Sequence, residues 1–302
     1  MTEPALRIGI DLGGSKIELA AFGDEGKECF RKRVSTPQRD YQATLASLRD
    51  LVFEAEREMA GTATVGIGTP GSLSPITGLV RNANSTCLNG QPFKQDLEAL
   101  LEREIRIAND ANCFTVSEAR DGAGAGVEVV FGVILGTGVG GGIVVRGRLL
   151  AGANAIAGEW GHNPLPGSGA SDLPLTLCYC GRQGCVETYL SGPGLSLDHY
   201  TVSGKSVSPE VIVRGAEGGD SACAETLYRY EARLARILAS VINVLDPDVI
   251  VLGGGLSHIG RLYENVPRLW LPHIFSDAVH TRLLPNKHGD SSGVRGAAWL
   301  WG

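Results

Sequence analysis

The chain has 302 residues, 43% of them hydrophobic and 20% charged, and 27 Lys+Arg against 33 Asp+Glu give a net charge of −6 and a pI near 5.6. That composition excludes a largely disordered chain, and the acidic balance argues against a nucleic-acid binder, which needs a basic patch or stripe. A single core stops growing near ~250–300 residues, so one large or two medium lobes are expected. No apolar signal-like run occupies residues 1–10, and the uncharged stretch Val129–Val145 is interrupted by six glycines and falls short of the ~20 apolar residues that a span needs. The expectation is a cytoplasmic protein with no membrane partner.

In chain order, Leu6–Ile10 and Lys16–Phe22 read as strands around the turn Asp11–Gly14. Tyr41–Met59 carries helical spacing through Leu45, Leu48, Leu51, Val52 and Ala55. A short strand, Val65–Gly68, ends in the loop Thr69-Pro-Gly71. Lys94–Glu104 reads as a helix and Ile105–Ala108 as a strand. Asn109-Asp-Ala-Asn112 stands where that strand ends and a helix begins, and the helix stops near Gly122. Val129–Leu135 is a strand, Gly136–Gly142 a loop and Ile143–Val145 a strand, so strand, glycine turn, strand occurs twice. A long amphipathic helix over Ser221–Leu245, a strand over Val249–Leu252, the loop Gly253–Gly255 and a further helix complete the pattern. Strands alternating with helices predict an α/β protein. The lobe boundary is placed near residue 118: a small lobe over 1–118, joined by a C-terminal helix over 290–302, and a large lobe over 119–289.

Three glycine loops are candidates for phosphate. Gly136-x-Gly138-x-x-Gly141 matches the dinucleotide fingerprint in form, but that fingerprint needs a helix behind the loop, and Ile143–Val145 reads as a strand. No Walker lysine follows any of the three. What remains is a glycine hairpin whose backbone can approach phosphate oxygens and offer N–H donors. An ordinary hairpin turn explains one such loop more easily than two matched ones with Gly253–Gly255 beside them.

Cys178-x-Cys180-Gly-x-x-Gly-Cys185 puts three thiolates within eight residues. A closed zinc site takes four ligands, and His162, in the compact Gly158-Glu-Trp-Gly-His162 just upstream, is the best fourth. Such an ion would be structural. The alternative is three reduced cysteines that merely cluster. Cys29, Cys87, Cys113 and Cys223 are isolated and read as small buried hydrophobes. Asp110 has two readings: a carboxylate placed to act on a ligand at a strand end, or the N-cap of the helix that follows.

Taken together, Asp11-Leu-Gly-Gly-Ser-Lys16, Gly136–Gly142, Gly158–His162, Cys178 to Glu187 and Leu252–Ser257 resemble the ROK family of sugar kinases and repressors, in family order over essentially the whole chain. Within it, Gly68–Pro75, Asn82–Thr86, Leu88–Phe93 and His288–Trp299 look closest to bacterial fructokinases of the mannokinase type. The resemblance implies an actin-like ATPase (ribonuclease H-like) duplicated fold of two lobes with a cleft between them. It implies ATP, with Asp11, Gly13, Gly14, Ser15 and Lys16 as a first phosphate loop and Asp11 holding Mg²⁺ through water. Gly136, Thr137, Gly138 and Gly140 would form the second loop, and Gly253, Gly254 and Gly255 would line the nucleoside site. Asp110 matches the family's base. Gly71, Asn84, Asn109, Glu159, His162 and Glu187 match positions that hold sugar hydroxyls, so His162 would carry Zn²⁺ on one nitrogen and face the sugar with the other. A homodimer is implied as well. The stretch Asn163–Leu177 is longer than in many members, which leaves its path open.

The expected activity is therefore ATP-dependent phosphorylation of D-fructose to fructose 6-phosphate, with mannose and glucose as secondary acceptors. An N-acetylglucosamine or N-acetylmannosamine kinase is the nearest alternative. A sugar-sensing repressor and an NAD-dependent oxidoreductase are more remote.

Overall fold

The structure is a computed structural model that describes residues 6–23, 26–81, 83 and 85–302. Its strands are β1 (Arg7–Leu12), β2 (Lys16–Phe22), β3 (Glu28–Ser35), β4 (Thr64–Thr69), β5 (Ser72–Leu73), β6 (Val80–Arg81), β7 (Ile105–Asn109), β8 (Val129–Leu135), β9 (Val139–Val145), β10 (Arg148–Leu149), β11 (Val249–Gly253) and β12 (Arg282–Pro285). Its helices are α1 (Tyr41–Met59), α2 (Phe93–Leu101), α3 (Asp110–Arg120), α4 (Glu187–Leu190), α5 (Gly192–Ser203), α6 (Pro209–Glu217), α7 (Ser221–Leu245), α8 (Leu262–Leu269) and α9 (Ser292–Ala298).

Two large sheets repeat one plan, with orders β3-β2-β1-β4-β7 and β10-β9-β8-β11-β12. In the first, β1 pairs antiparallel with β2 and parallel with β4, and β4 pairs parallel with β7. In the second, β8 pairs antiparallel with β9 and parallel with β11, and β11 pairs parallel with β12. The α/β class and the duplicated, actin-like plan expected from the sequence are present. Parallel pairing requires a crossover between strands, and α1 and α7 supply long ones. Strands covered on both faces read as unbroken apolar runs, hence Val249, Ile250, Val251 and Leu252, all fully buried.

The chain divides into two compact units. The first comprises residues 1–122, 147–157 and 290–302, and the second 123–146 and 158–289. The return of residues 147–157 to the first unit carries no sign in the sequence.

In the first unit, α1 buries Leu45, Leu48, Leu51, Val52 and Ala55. Asp40 caps it by accepting from the Ala43 N–H at 2.9 Å, and Ala60 ends it in the left-handed conformation. The helix α9 lies flat on β1 and β4. A Cβ on Gly9 would stand 1.9 Å from the Val294 carbonyl and one on Gly66 1.8 Å from that of Ala297. The Trp301 indole then donates to the Val65 carbonyl at 2.9 Å, fixing the chain end to the sheet. β3 was not expected. Its sequence, Glu-Cys-Phe-Arg-Lys-Arg-Val-Ser, is that of an edge strand protected by charge. Cys29, on that strand, is exposed rather than buried, whereas Cys113 and Cys223 are buried as expected.

In the second unit, α7 is capped by Asp220, which accepts from the Cys223 N–H at 3.0 Å, and it buries Leu227, Tyr230, Leu234, Leu238 and Ile242. The segment 163–177 is tied to this helix. Buried Asp172 accepts from Arg233 at 2.8 Å and Arg236 at 3.0 Å, and Arg233 also reaches Asp198 at 2.7 Å. Removing one partner of such a buried pair costs ~3–5 kcal/mol, so the network holds the path of the segment firmly. Among the described residues no helix is long and apolar enough to cross a membrane.

Candidate functional site

In the first unit, register brings two carboxylates to the C-terminal ends of parallel strands. Asp11 of β1 faces Gly68 of β4, Gly68 faces Ala108 of β7, and Asp110 follows two residues on. Ligands of open α/β sheets bind at this end. Asp11 has its carboxyl pKa raised, by burial first and then by the negative charges of Asp110 and Glu18. Asp110 is exposed, yet the protein around it desolvates the carboxyl and raises its pKa too.

The N-cap of α3 is Asn109, not Asp110. Asn109 Oδ1 accepts from the Asn112 N–H at 2.8 Å. Asp110 is the first helical residue, with Oδ1 accepting from the Ala111 N–H at 2.8 Å. The cap reading of Asp110 is thereby set aside, and the side-chain oxygen of Asn109 is committed to the helix. Gly71, at φ +82°, turns the chain between β4 and β5. Asn84 lies outside the described residues.

The first glycine loop joins β1 to β2. The Gly13 N–H bonds the Lys16 carbonyl at 2.9 Å, and Gly14, Ser15 and Lys16 are exposed. Thr36 and Gln38 hold it from behind, and neither was singled out in the sequence because recognising them requires β3.

In the second unit, the glycine loop is tighter than expected. Gly136-Thr137-Gly138 alone turns the chain, since Val139 already pairs with Leu135 and Gly140, Gly141 and Gly142 are strand residues of β9. No helix follows it, so the dinucleotide reading fails on structure. Gly253, Gly254 and Gly255 stand at the C-terminal end of β11, next to the end of β8, so this loop and the Gly136 hairpin share one sheet end.

The Gly158–His162 segment lies against β9. Gly158, at φ +93°, approaches so closely that a Cβ would stand 2.4 Å from the Gly141 carbonyl. Trp160 is buried beside it and donates Nε1–H to the Gly140 carbonyl at 2.9 Å. Glu159 and His162 are thus fixed relative to the second loop. Glu187, at the start of α4, accepts from the Val139 N–H at 2.9 Å.

The four expected metal ligands converge. The ligand atoms of His162, Cys178, Cys180 and Cys185 lie within 4.8 Å of one another. Cys178 Sγ is 3.6 Å from His162 Nδ1, and Cys180 Sγ is 3.6 Å from Cys185 Sγ. A tetrahedral ion with Zn–S near ~2.3 Å and Zn–N near ~2.0 Å spaces its ligands roughly 3.5–3.8 Å apart, so the set fits zinc. The backbone explains the convergence. Cys178 N–H bonds the Arg182 carbonyl at 2.7 Å, Gly184 N–H that of Thr176 at 2.9 Å, and Val186 N–H that of Asn163 at 2.9 Å. These ladders lay the histidine segment beside Cys185. Arg182, bonded to the Cys180 thiol, draws its pKa down to about 6, while burial pushes the Cys178 thiol up and that of Cys185 up to about 12. A bound cation would favour the thiolate at all three. His162 Nε2 meets the Tyr179 hydroxyl at 2.9 Å, a partner that the spacing of the cysteines did not reveal.

The ROK family matches residues 7–302. An N-acetyl-D-glucosamine kinase of Pectobacterium atrosepticum is 40% identical over 296 residues, 97% of each chain. A ROK hexokinase structure from Thermus thermophilus superposes with a TM-score of 0.86 at 29% identity, over 98% of this chain and 97% of that one. A ROK glucokinase from Streptomyces griseus, in complex with glucose and AMPPNP, gives 0.74 at 26% identity over 98% of each. The fructokinase expectation does not survive: the curated relatives at about 40% identity are N-acetyl-D-glucosamine kinases. The physical reason is that D-fructose and N-acetyl-D-glucosamine share the configuration from C3 onward and differ at C1 and C2, so a likeness in short segments such as Gly68–Pro75 and Leu88–Phe93 does not separate the two sugars. The chain belongs to the ROK family.

Proposed function

We propose that the protein is an ATP-dependent kinase that phosphorylates N-acetyl-D-glucosamine. The observation that carries this reading is the 40% identity, over 97% of both chains, to an N-acetyl-D-glucosamine kinase. A related glucokinase that holds glucose and AMPPNP supports ATP as the donor.

Phosphoryl transfer rests on positioning and charge stabilisation more than on covalent catalysis. The amides of Gly14 and Ser15 and of Thr137 and Gly138 would hold phosphate oxygens, while Gly13 and Gly136, whose N–H groups close the two turns on the Lys16 and Gly138 carbonyls, shape the loops and Lys16 and Gly140 flank them. Gly253, Gly254 and Gly255 would border the nucleoside. Asp11 would hold Mg²⁺ through water, and the ion supplies countercharge to the phosphates. Gly71, Asn84, Asn109, Glu159 and Glu187 would bind the sugar, with Asn109 offering its side-chain N–H₂, and His162 Nε2 would join them by exchanging the Tyr179 hydroxyl for one of the sugar's. Asp110 would accept the proton of the attacking hydroxyl as its oxygen bonds the γ-phosphorus and ADP departs. A carboxyl with a raised pKa suits that task, since a base works best with a pKa near the working pH. Zn²⁺ on His162, Cys178, Cys180 and Cys185 would cross-link the segments that carry Glu159 and Glu187.

The test is to incubate the chain with ATP, Mg²⁺ and N-acetyl-D-glucosamine and to analyse the sugar by mass spectrometry. A phosphorylated sugar with matching ADP is expected. ADP release that does not depend on sugar, with no sugar phosphate formed, would refute the reading.

A further inference from the structure

The first glycine loop is held from behind. Thr36 Oγ1 donates to the Gly13 carbonyl at 2.8 Å, Gln38 Nε2 donates to the Gly14 carbonyl at 3.0 Å, and the Thr36 N–H bonds the Ser15 carbonyl at 3.1 Å. Three successive carbonyls are therefore satisfied by one short stretch between β3 and α1. Gln38 Nε2 also donates to the Thr36 backbone carbonyl at 3.1 Å, which ties the Gln38 side chain to the backbone that carries Thr36. Pro37 between them fixes its own φ and limits the backbone before it, which stiffens the brace.

Peptide planes link this to the other face of the loop. Each carbonyl is rigidly trans to the N–H of the next residue. Drawing the carbonyls of Gly13 and Gly14 toward Thr36 and Gln38 turns the N–H groups of Gly14 and Ser15 the opposite way. Among the described residues neither of these two N–H groups has a protein partner, and both residues are exposed. Paired outward N–H groups on a fixed loop suit an anion's oxygens.

We infer that Thr36 and Gln38 are positioning residues for the phosphoryl donor: they preset the loop so that its amides meet phosphate without reordering at the moment of binding. A preset loop avoids an ordering cost that a free one bears on association. This inference rests on the reading of the chain as an ATP-dependent kinase. Neither side chain touches the donor; both act through backbone carbonyls.

The experiment measures nucleotide affinity in the full-length chain by calorimetry with AMPPNP and Mg²⁺, and separately the affinity for N-acetyl-D-glucosamine. Thr36→Val keeps the shape and removes the hydroxyl donor, Gln38→Leu removes the amide, and Thr36→Ser restores the donor. Losing one neutral hydrogen bond corresponds to roughly a fivefold change, so each of the first two variants is expected to weaken AMPPNP about fivefold. Thr36→Ser should stay within about twofold of wild type. In turnover, KM for ATP should rise while kcat at saturating ATP and the sugar affinity hold within about twofold. Unchanged AMPPNP affinity in folded Thr36→Val and Gln38→Leu overturns the inference. So does a parallel loss of nucleotide and sugar affinity with a lowered thermal midpoint, which marks a structural role only. A wild-type chain that fails to bind AMPPNP at all defeats the kinase reading itself, and the inference with it.

Discussion

Asn109 Oδ1 accepts the Asn112 N–H at 2.8 Å and caps α3, while the neighbouring Asp110, the first helical residue, holds the Ala111 N–H through Oδ1. The two residues can therefore be separated by mutation. Asp110→Asn should lower kcat by about 10²–10⁴-fold, the usual contribution of a general base, with sugar affinity changed much less. Asn109→Ala should instead lower stability by about 0.5–2 kcal/mol through the lost cap. Kinetics and thermal unfolding of both variants check the pair; near-normal turnover in Asp110→Asn would sink the base assignment.

The raised pKa of Asp110 has a consequence for stability. Desolvation makes the folded chain bind the proton more tightly than the unfolded chain does. Stability from this group is complete below the unfolded-state pKa of ~3.9 and is lost as pH climbs through the raised folded-state pKa. At neutral pH the charge is thus a burden that Asp110→Asn removes. The variant should unfold at a higher temperature than wild type at pH 7, and the difference should shrink in acid. Activity runs the other way, because the base must be ionised: wild-type kcat/KM should fall as pH drops through the same raised pKa. Equal thermal midpoints at pH 7 would count against the shift.

Purified protein should carry one zinc per chain on His162, Cys178, Cys180 and Cys185. Ligand geometry exists only in the folded chain, so stripping the ion should lower the thermal midpoint. Cys180→Ser should show the same loss without a chelator. Elemental analysis is the check, and zinc-free protein of full stability and activity would show four side chains that merely cluster.

Gly158→Ala tests the close approach of the Gly158–His162 segment to β9. The new methyl meets a backbone carbonyl at 2.4 Å, and φ is +93°, so neither a rotamer change nor a small shift relieves it. A cost of about 1–3 kcal/mol is expected for the backbone strain alone. Displaced Glu159 and His162 should weaken sugar binding by tenfold or more in the proposed site, with AMPPNP affinity nearly kept. Sugar affinity equal to wild type would remove this segment from the sugar site.

Long amphipathic elements were legible because their apolar period repeats over many turns: α1 and α7 match their expected bounds, Tyr41–Met59 and Ser221–Leu245. β3 was hidden because its inward face carries only two apolar residues, Phe30 and Val34, with Lys32 between them and charges on the other face. Gly140–Gly142 misled in the opposite sense. Glycines there read as loop, but they are strand residues left bare so that the Gly158–His162 segment can lie on them. The convergence of His162, Cys178, Cys180 and Cys185 was legible from the cysteine spacing and the compact Gly158–His162 segment just upstream. Tyr179 on His162, Glu187 on the Val139 amide and the brace at Thr36 and Gln38 were not, since each is a contact between segments far apart in sequence. The fructose reading failed for a related reason: preference among hexoses is a matter of pocket shape, which no motif spacing encodes.

Substrate identity is tested most directly by the ratio of kcat/KM for N-acetyl-D-glucosamine to that for D-glucose, measured by coupled ADP release with D-mannose, N-acetyl-D-mannosamine and D-fructose alongside. A site built for the acetamido sugar should favour it by tenfold or more over each of the others, the scale of one well-placed substituent. A higher kcat/KM for D-glucose than for N-acetyl-D-glucosamine would contradict the account.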